Sequence, residues 1–158
     1  MVKVLFVCLG NICRSPLAEG VFRHKLAQAH IDDIEAHSAG TSDWHVGEPP
    51  DDRAREAASR RGVDLSGQYA RQVERADFER FDHVLAMDRQ NLSVLERLCP
   101  SEHRDKLGLF LDYAPHLEER EVPDPYWGGS DHFDAVLDMI EAAADGLIAH
   151  IVEAEKRT

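Results

Sequence analysis

The chain has 158 residues, of which 30% are charged, and its formal net charge is −12 at pH 7. This length is typical of one domain whose core is large enough to fold without a metal or a disulfide, so we expect a single domain over residues 1–158. The acidic balance argues against a nucleic acid or an anionic membrane as partner. No run approaches the roughly 18 apolar residues of a membrane span, and the first residues do not resemble a secretion signal. We therefore expect a cytoplasmic monomer with no membrane span.

The cysteines and histidines do not form a recognisable metal site. There are three cysteines, Cys8, Cys13 and Cys99, and an odd, small number without an export signal is typical of a reducing compartment. Cys8 and Cys13 do not have the spacing of a zinc knuckle, and no second pair of cysteines or histidines completes a site. The nine histidines form no HExxH pattern. We predict no metal and no cofactor.

Short apolar runs alternate with helical patterns along the chain. In chain order we predict a strand at 2–7, a helix at 15–30, a strand at 34–40, a helix at 51–61, a strand at 83–88, a helix at 89–98, a strand at 107–112, a loop at 121–130 and a helix at 131–156. Such alternation predicts the α/β fold class, with a four-stranded parallel sheet and helices on both faces, a flavodoxin-like three-layer sandwich. Ligands of such sheets bind outside the carboxyl ends of the strands.

The segment CLGNICRS, residues 8–15, fills a tight turn between the first predicted strand and the first predicted helix. Because Gly10 permits a positive φ, several free N–H groups at the start of the helix can point at one centre. Such a nest, with the helix dipole behind it, binds an oxyanion such as phosphate. The same field favours the thiolate form of Cys8. The turn therefore predicts a nucleophile placed beside a phosphate site.

The end of this segment supports the same interpretation. The forked guanidinium of Arg14 can hold two phosphate oxygens, which a lysine could not do. Ser15 is predicted to be the N-cap of the helix, with a hydroxyl that can also reach the sulfur of Cys8, and Pro16 to be the first helical residue. Cys8 could alternatively be a packed thiol at the end of a buried strand. The combination of strand, Cys-x5-Arg-Ser, proline and helix favours the catalytic interpretation.

Three segments in this order carry a family resemblance: VCLGNICRSP at 7–16, SAGT at 38–41 and DPYWGG at 124–129. They resemble the low-molecular-weight protein tyrosine phosphatases, and the resemblance covers essentially the whole chain. It implies that Cys8 is the nucleophile and forms a cysteinyl-phosphate, while Arg14 and the loop amides stabilise the transition state. Asp124 would protonate the leaving phenolate and then deprotonate water. The substrate would be a phosphotyrosine-containing protein and the product inorganic phosphate.

The resemblance also implies supporting residues. Asn11 would hold a strained loop position and bond Ser38, and Asp88 would match a family position, although it could equally be the N-cap of the next helix. Gln68 stands where many members have a histidine, which puts one supporting hydrogen bond in doubt. The remaining predicted substrate-binding residues are loop positions and aromatic or apolar walls that would contact a phenyl ring: Leu9, Gly10, Ile12, Cys13, Ser15, Trp44, Tyr126 and Trp127.

Other activities on the same architecture remain open. Relatives that hydrolyse phosphoarginine carry a threonine where this chain has Ile12, so isoleucine favours phosphotyrosine. A thioredoxin-coupled arsenate reductase needs further cysteines, and only Cys99 lies downstream. A cysteine phosphocarrier has no use for a general acid such as Asp124. A catalytically silent phosphotyrosine-binding module would not need the complete set of nucleophile, arginine and acid.

Cys13 raises the possibility of redox control. It lies five residues from Cys8 in a loop that curls back, so the two Cα atoms could come within the roughly 4.4–6.8 Å that a disulfide allows. An exposed Cys8 thiolate would react with peroxide to give a sulfenic acid, and Cys13 could capture it as a disulfide. The alternative is that Cys13 only packs under the loop. We predict a redox-sensitive enzyme.

Overall fold

Residues 1–157 are described by a computed structural model. It contains four strands and five α-helices, with short 3₁₀ helices between them. In chain order these are β1 Val2–Cys8, α1 Arg14–Gln28, β2 Ile34–Gly40, α2 Asp52–Ser59, α3 Asp77–Arg80, β3 His83–Ala86, α4 Arg89–Leu98, a 3₁₀ helix at Ser101–Lys106, β4 Leu107–Leu109, 3₁₀ helices at Phe110–Tyr113 and Pro125–Trp127, and α5 Ser130–Lys156. No helix in this range has both the length and the apolar character needed to span a bilayer.

The strands form one parallel sheet in the order β2-β1-β3-β4. In the register of β1, Cys8 lies opposite Gly40 at the end of β2, and Val7 lies opposite Ala86 at the end of β3. The carboxyl ends of three strands therefore meet at one edge of the sheet. Residues 8–15, the predicted phosphate-binding loop (called the phosphate loop below), begin at this edge, which is where parallel sheets bind their ligands.

Alternate residues of β1 point to opposite faces of the sheet, as the period of a strand requires. Val4 and Phe6 belong to an apolar cluster that also contains residues of α1, α2 and α5. Leu5 and Val7 belong to a second cluster with residues of α3 and α4. Helices therefore cover both faces, and the predicted three-layer α/β fold with a four-stranded parallel sheet is confirmed.

Aromatic packing fixes α1 on the sheet directly behind the phosphate loop. The ring of Phe6 in β1 meets Phe22 of α1 edge-to-face at 5.5 Å between centroids, and meets Phe110 at 4.9 Å. Such pairs contribute about 0.5–1.5 kcal/mol each beyond the area they bury. This packing holds the helix whose first turn carries Arg14.

Several predicted boundaries differ from the structure. The predicted strand 107–112 ends at Leu109, and Phe110–Tyr113 is a 3₁₀ helix. Phe110 and Leu111 are fully buried, and a short buried run of apolar residues does not distinguish a strand from a buried turn of helix. The predicted helix 15–30 spans Arg14–Gln28, because His30 adopts a positive φ of 56°. The predicted loop 121–130 contains the 3₁₀ helix Pro125–Trp127.

Candidate active site

The thiol of Cys8 lies at the inner end of the turn between β1 and α1, and the residue is only 3% exposed. The backbone N–H of Asn11 donates to Cys8 Sγ at 3.2 Å, and the hydroxyl of Ser15 lies 3.0 Å from the same sulfur. These two contacts hold the sulfur at the inner end of the turn. The prediction that Cys8 is exposed is wrong, because the loop folds over its sulfur.

Ser15 does not cap the helix as predicted. The helix begins at Arg14, so Ser15 lies inside the first turn and Pro16 is the third helical residue rather than the first. The predicted contact of the Ser15 hydroxyl with Cys8 is confirmed, and the hydroxyl also accepts a hydrogen bond from the Asn11 amide at 2.8 Å. Ser15 therefore orders the loop around the sulfur and does not cap the helix.

Asn11 braces the loop in the left-handed conformation, with a φ of 58°. Its side-chain amide donates to Ser38 Oγ at 2.9 Å, as the resemblance implied, and its Oδ1 accepts from the backbone N–H of Arg71 at 3.0 Å. Gly40 permits this close approach, because a Cβ there would lie 2.9 Å from the carbonyl oxygen of Leu9. The end of β2 therefore holds the loop from one side.

Arg14 is 3% exposed and is anchored through a single nitrogen. Its Nη1 donates to Asp88 Oδ2 at 2.7 Å and to the carbonyl oxygen of Val122 at 2.9 Å. Burial opposes the charge of Arg14, but Cys8, Asp88 and Asp124 together raise its pKa above the ordinary value. Arg14 therefore stays a buried cation.

Asp88 has both of the roles that the sequence left open. One carboxylate oxygen binds Arg14, and the other accepts from the backbone N–H of Asn91 at 2.7 Å, which makes Asp88 the N-cap of α4. The position of the arginine is thereby tied to the start of a helix on the other face of the sheet.

Asp124 reaches the same place from the far end of the chain. Its Oδ2 lies 3.7 Å from Arg14 Nη2, and its side chain is 38% exposed. Its Oδ1 accepts from the backbone N–H of Tyr126 at 3.0 Å, so Asp124 caps the 3₁₀ helix Pro125–Trp127. The carboxylate is thus held at the start of an ordered turn beside the buried arginine and thiol.

These groups share one pocket of about 340 Å³ at the edge of the sheet. Trp44 and Trp127, which are 70% and 88% exposed, stand at its mouth, and Tyr126 is half-buried. The pocket is lined by Cys8, Leu9, Gly10, Ile12, Cys13, Arg14, Trp44, His45, Asp124, Tyr126 and Trp127. A buried sulfur, a buried cation and a carboxylate at the base, with aromatic walls, could accommodate a small anion attached to an aryl group.

Comparison with known proteins agrees with this geometry. The family model described as low molecular weight phosphotyrosine protein phosphatase matches residues 3–157. The chain belongs to this family. It is a phosphatase, a hydrolase of phosphoric monoesters.

Individual relatives match over nearly their whole length. A low molecular weight protein-tyrosine-phosphatase of Streptomyces coelicolor is 45% identical, over 96% of this chain and 94% of that protein. The crystal structure of a protein tyrosine phosphatase from Entamoeba histolytica superposes with a TM-score of 0.95 at 38% identity, covering 98% of this phosphatase and 99% of that chain. An arginine phosphatase of Drosophila superposes with a TM-score of 0.89 at 31% identity, covering 95% and 98%.

Gln68 makes a hydrogen bond from the position where many members of the family have a histidine. Its side-chain nitrogen donates to the carbonyl oxygen of Pro16 at 3.1 Å, in the first turn of α1. Its Oε1 is buried and has no hydrogen-bond partner among residues 1–157. In this phosphatase the amide therefore supports the helix that follows the phosphate loop.

Sequence reasoning missed His45, which also lines the pocket. The imidazole packs on Gly10, where a Cβ would lie 3.0 Å from His45 Cδ2. Its Nδ1 lies 2.7 Å from Glu48 Oε2. The only signal in the sequence was its position next to Trp44, which does not indicate the direction of either side chain.

Cys13 faces the same pocket but differs from Cys8 chemically. It is 4% exposed, and both cysteines are free thiols. Burial raises the pKa of Cys13 far above the ordinary value, and the nearby negative charges of Asp51 and Cys8 act in the same direction. Cys13 is therefore a neutral thiol that lines the same pocket as Cys8.

Proposed function

We propose that this phosphatase hydrolyses phosphotyrosine in proteins through a cysteinyl-phosphate on Cys8. The observation that carries the proposal is the convergence of three groups on one pocket: a buried thiol that contacts two hydrogen-bonding groups, an anchored cation, and a carboxylate on an ordered turn. We place the enzyme in the cytoplasm, as a monomer formed by the single domain 1–158, working without a metal or cofactor.

In the first step the Cys8 thiolate attacks phosphorus. The S–P bond forms as the bond between phosphorus and the phenolic oxygen breaks, and Asp124 gives its proton to the leaving phenolate. The amides of residues 9–15 and the nitrogens Nε and Nη2 of Arg14 hold the phosphoryl oxygens and stabilise the charge of the transition state. Because Nη1 is already bonded to Asp88 and Val122, the guanidinium fork is set in place before the substrate arrives.

In the second step water hydrolyses the cysteinyl-phosphate. Asp124, now a carboxylate, takes a proton from the water as its oxygen bonds phosphorus, and the S–P bond breaks. The sulfur leaves as the thiolate, which the N–H of Asn11 and the hydroxyl of Ser15 stabilise. Inorganic phosphate is released and the enzyme returns to its starting state.

The depth of the pocket and its aromatic walls support an aryl phosphate as substrate. Cys8 is nearly inaccessible at the base, so the phosphorus must be carried inward on a side chain long enough to reach it. Tyr126 and Trp44 can pack on a planar ring. An aliphatic phosphoserine is shorter and has no face for these walls.

Phosphoarginine is the second candidate substrate, because an arginine phosphatase of Drosophila has a similar structure. Arginine also has a long, planar end group. Ile12 provides an apolar wall, which favours a phenyl ring over a guanidinium. Rates on phosphotyrosine, phosphoserine and phosphoarginine measured side by side distinguish the candidates, and we expect phosphotyrosine to be hydrolysed fastest.

An arsenate reductase or a phosphocarrier finds less support. Cys99 packs in the apolar cluster on the face of the sheet opposite to that of Cys8 and Cys13, so it is poorly placed to exchange with the reacting sulfur. The carboxylate of Asp124 beside Arg14 suits hydrolysis by water rather than transfer to a sugar. Release of phosphate into bulk water from p-nitrophenyl phosphate separates hydrolysis from transfer.

Asp124→Asn tests the acid–base assignment. The substitution keeps the shape of the side chain but removes the transferable proton, so kcat/KM on phosphotyrosine, which reports the first step, should fall about 10²–10⁴-fold. The loss of kcat/KM on p-nitrophenyl phosphate should be smaller, because nitrophenolate needs less protonation as it leaves. Initial rates with both substrates at concentrations well below KM give this ratio.

Asp131→Asn is the matched control, since Asp131 lies in the first turn of α5 and outside the pocket lining. It should leave both rates unchanged. Equal losses on the two substrates in Asp124→Asn would mean that Asp124 shapes the turn without acting as an acid.

Reversible oxidation is a further prediction, and it concerns Cys13. Peroxide should oxidise Cys8 to a sulfenic acid with release of water, and attack by the Cys13 sulfur should expel a second water and form a disulfide. A thiol reductant should then restore activity. Cys13→Ser should turn over normally but recover much less activity after the same exposure. Activity before and after reduction, with a peptide map of the Cys8–Cys13 bridge, checks this.

Cys99→Ser is the control for oxidation, because Cys99 is also a buried free thiol but lies outside the pocket. It should recover as well as the unmodified enzyme. If Cys13→Ser recovers equally well and no bridge is found, Cys13 has only a packing role.

A further inference from the structure

We infer that Arg53 is a positioning residue that holds the turn carrying Asp124 in register with the phosphate loop. The inference rests on the proposed role of Asp124 as general acid and base. Arg53 lies in the first turn of α2, outside every segment that carries the family resemblance. Its guanidinium lies between the two loops and contacts groups attached to each of them.

On one side Arg53 contacts the turn Pro125–Trp127 and the residue that follows it. Its Nη1 donates to the carbonyl oxygen of Gly128 at 3.2 Å, and its guanidinium carbon lies 5.3 Å from the centre of the Tyr126 ring. It also lies 5.1 Å from the ring centre of Phe133, a fully buried residue of α5. The cation is thus placed over two aromatic rings, which attract it electrostatically.

These contacts bear directly on the orientation of Asp124. Tyr126 supplies the backbone N–H that bonds Asp124 Oδ1, while its ring stacks on Arg53. Gly128 closes the same turn by donating its N–H to the carbonyl oxygen of Pro125 at 2.9 Å. Arg53 therefore contacts the turn at the residue that bonds the carboxylate and at its far end.

On the other side Arg53 is fixed by Asp51. Two parallel hydrogen bonds join them, from Nε to Oδ1 and from Nη2 to Oδ2, each at 3.0 Å. The backbone N–H of Asp51 donates to the carbonyl oxygen of Ile12, within the phosphate loop, at 2.8 Å. A continuous chain of contacts therefore runs from Ile12 through Asp51 and Arg53 to the turn of Asp124.

The chemistry of the turn explains why it needs such support. Pro125–Trp127 is a single turn of 3₁₀ helix, whose hydrogen bonds have poor geometry, and Trp127 is largely exposed. A general acid must keep its proton within hydrogen-bond reach of the leaving oxygen. Only a planar fork can bond Asp51 at two points, bond Gly128 and stack on Tyr126 together, so a lysine could replace only part of these contacts.

The test compares Arg53→Met and Arg53→Lys with Arg55→Met. Arg55 lies on the same helix, pairs with Asp52 and makes no contact with the turn, which makes it a matched control. We expect kcat/KM on phosphotyrosine, which reports the first step, to fall about 10- to 100-fold in Arg53→Met, the scale on which a small misplacement of a catalytic group acts. The loss in Arg53→Lys should be smaller, and Arg55→Met should leave the rate unchanged.

The measurement that separates positioning from a general structural effect is the dependence of the rate loss on the leaving group of the substrate. Loss of Arg53 should reduce kcat/KM on p-nitrophenyl phosphate far less than on phosphotyrosine, and should leave the affinity for inorganic phosphate unchanged. In an Asp124→Asn background the Arg53→Met effect should disappear, because both substitutions remove the same contribution.

Unchanged kcat/KM on phosphotyrosine in Arg53→Met would overturn the inference, as would equal losses of kcat/KM on the two substrates or a loss that persists in the Asp124→Asn background. If Arg53→Met does not fold, the same criteria apply to Arg53→Lys, which keeps the charge and the aliphatic stem. The outcome for Asp124→Asn alone tests the proposed acid. If Asp124→Asn loses more activity on phosphotyrosine than on p-nitrophenyl phosphate while Arg53→Met loses none, the role of Arg53 is rejected and the proposed function remains intact.

Discussion

Cys8→Ser is expected to lower kcat by about 10⁴-fold or more, the scale on which loss of a catalytic nucleophile acts, while the protein still binds inorganic phosphate. A serine hydroxyl is not ionised at neutral pH and is a much weaker nucleophile than a thiolate. The loop amides and the anchored guanidinium of Arg14 are unchanged by the substitution. Initial rates on phosphotyrosine and a calorimetric titration with phosphate measure the two quantities separately.

Cys99→Ser provides the control, because it makes the same exchange at a buried thiol in the other apolar cluster. Its kcat should equal that of the unmodified enzyme. Ordinary turnover by Cys8→Ser would contradict the thiolate mechanism. Loss of phosphate binding together with turnover would mean that the sulfur is needed to order the loop.

Arg14→Lys is expected to lower kcat about 10²–10³-fold, comparable to the loss of an oxyanion donor, and to weaken phosphate binding. The guanidinium bonds Asp88 and the carbonyl of Val122 through Nη1 and still has Nε and Nη2 for the substrate. An ammonium group on a shorter fork-less side chain cannot make both sets of bonds from one position. Steady-state rates and phosphate affinity, measured on the same preparation, check this.

Arg23→Lys is the matched control on the same helix. Arg23 also uses its fork, donating from Nε and Nη2 to the carbonyl oxygen of Ala36, but it lies outside the pocket lining. Its substitution should leave kcat unchanged. If Arg14→Lys were nearly as active as the unmodified enzyme, Arg14 would not be the group that holds the transferred phosphoryl.

The sequence predicted the fold well where the pattern of burial is regular. From Val4 onward β1 is apolar, because its two neighbours in the sheet and both helical layers bury it, so the run was readable as a parallel strand. β4 was predicted too long because Phe110 and Leu111 are buried by packing outside the sheet. The short helix Asp77–Arg80 was not predicted, since four residues carry no periodic signal.

The sequence alone could predict the part of the site that is formed by neighbouring residues of the chain. Residues 8–15 are contiguous, so the spacing of Cys8, Gly10 and Arg14 indicates a phosphate loop without any tertiary information. Asp124 came only from the family resemblance, because nothing in its own surroundings distinguishes it from a solvated loop carboxylate. Its position 3.7 Å from Arg14 depends on the packing of the whole chain.

Contacts between distant segments were not predictable for the same reason. Arg53 resembles any charged residue of a polar helix, and its stacking on Tyr126 exists only after α2 and α5 have packed together. The Val122 carbonyl that bonds Arg14 has no side-chain signal at all. Ser15 was wrongly assigned to capping because a local rule favoured it, whereas the predicted contact of its hydroxyl with the Cys8 sulfur is confirmed.

The measurement that tests the central claim most directly is acid quenching of Asp124→Asn during turnover of p-nitrophenyl phosphate, followed by mass spectrometry of the Cys8 peptide. The activated leaving group lets the first step proceed, while loss of the base slows hydrolysis of the intermediate. The account predicts one phosphoryl group on Cys8, absent when Cys8 is serine. A phosphoryl group on any other residue, or steady release of phosphate with Cys8 unmodified throughout, would contradict it.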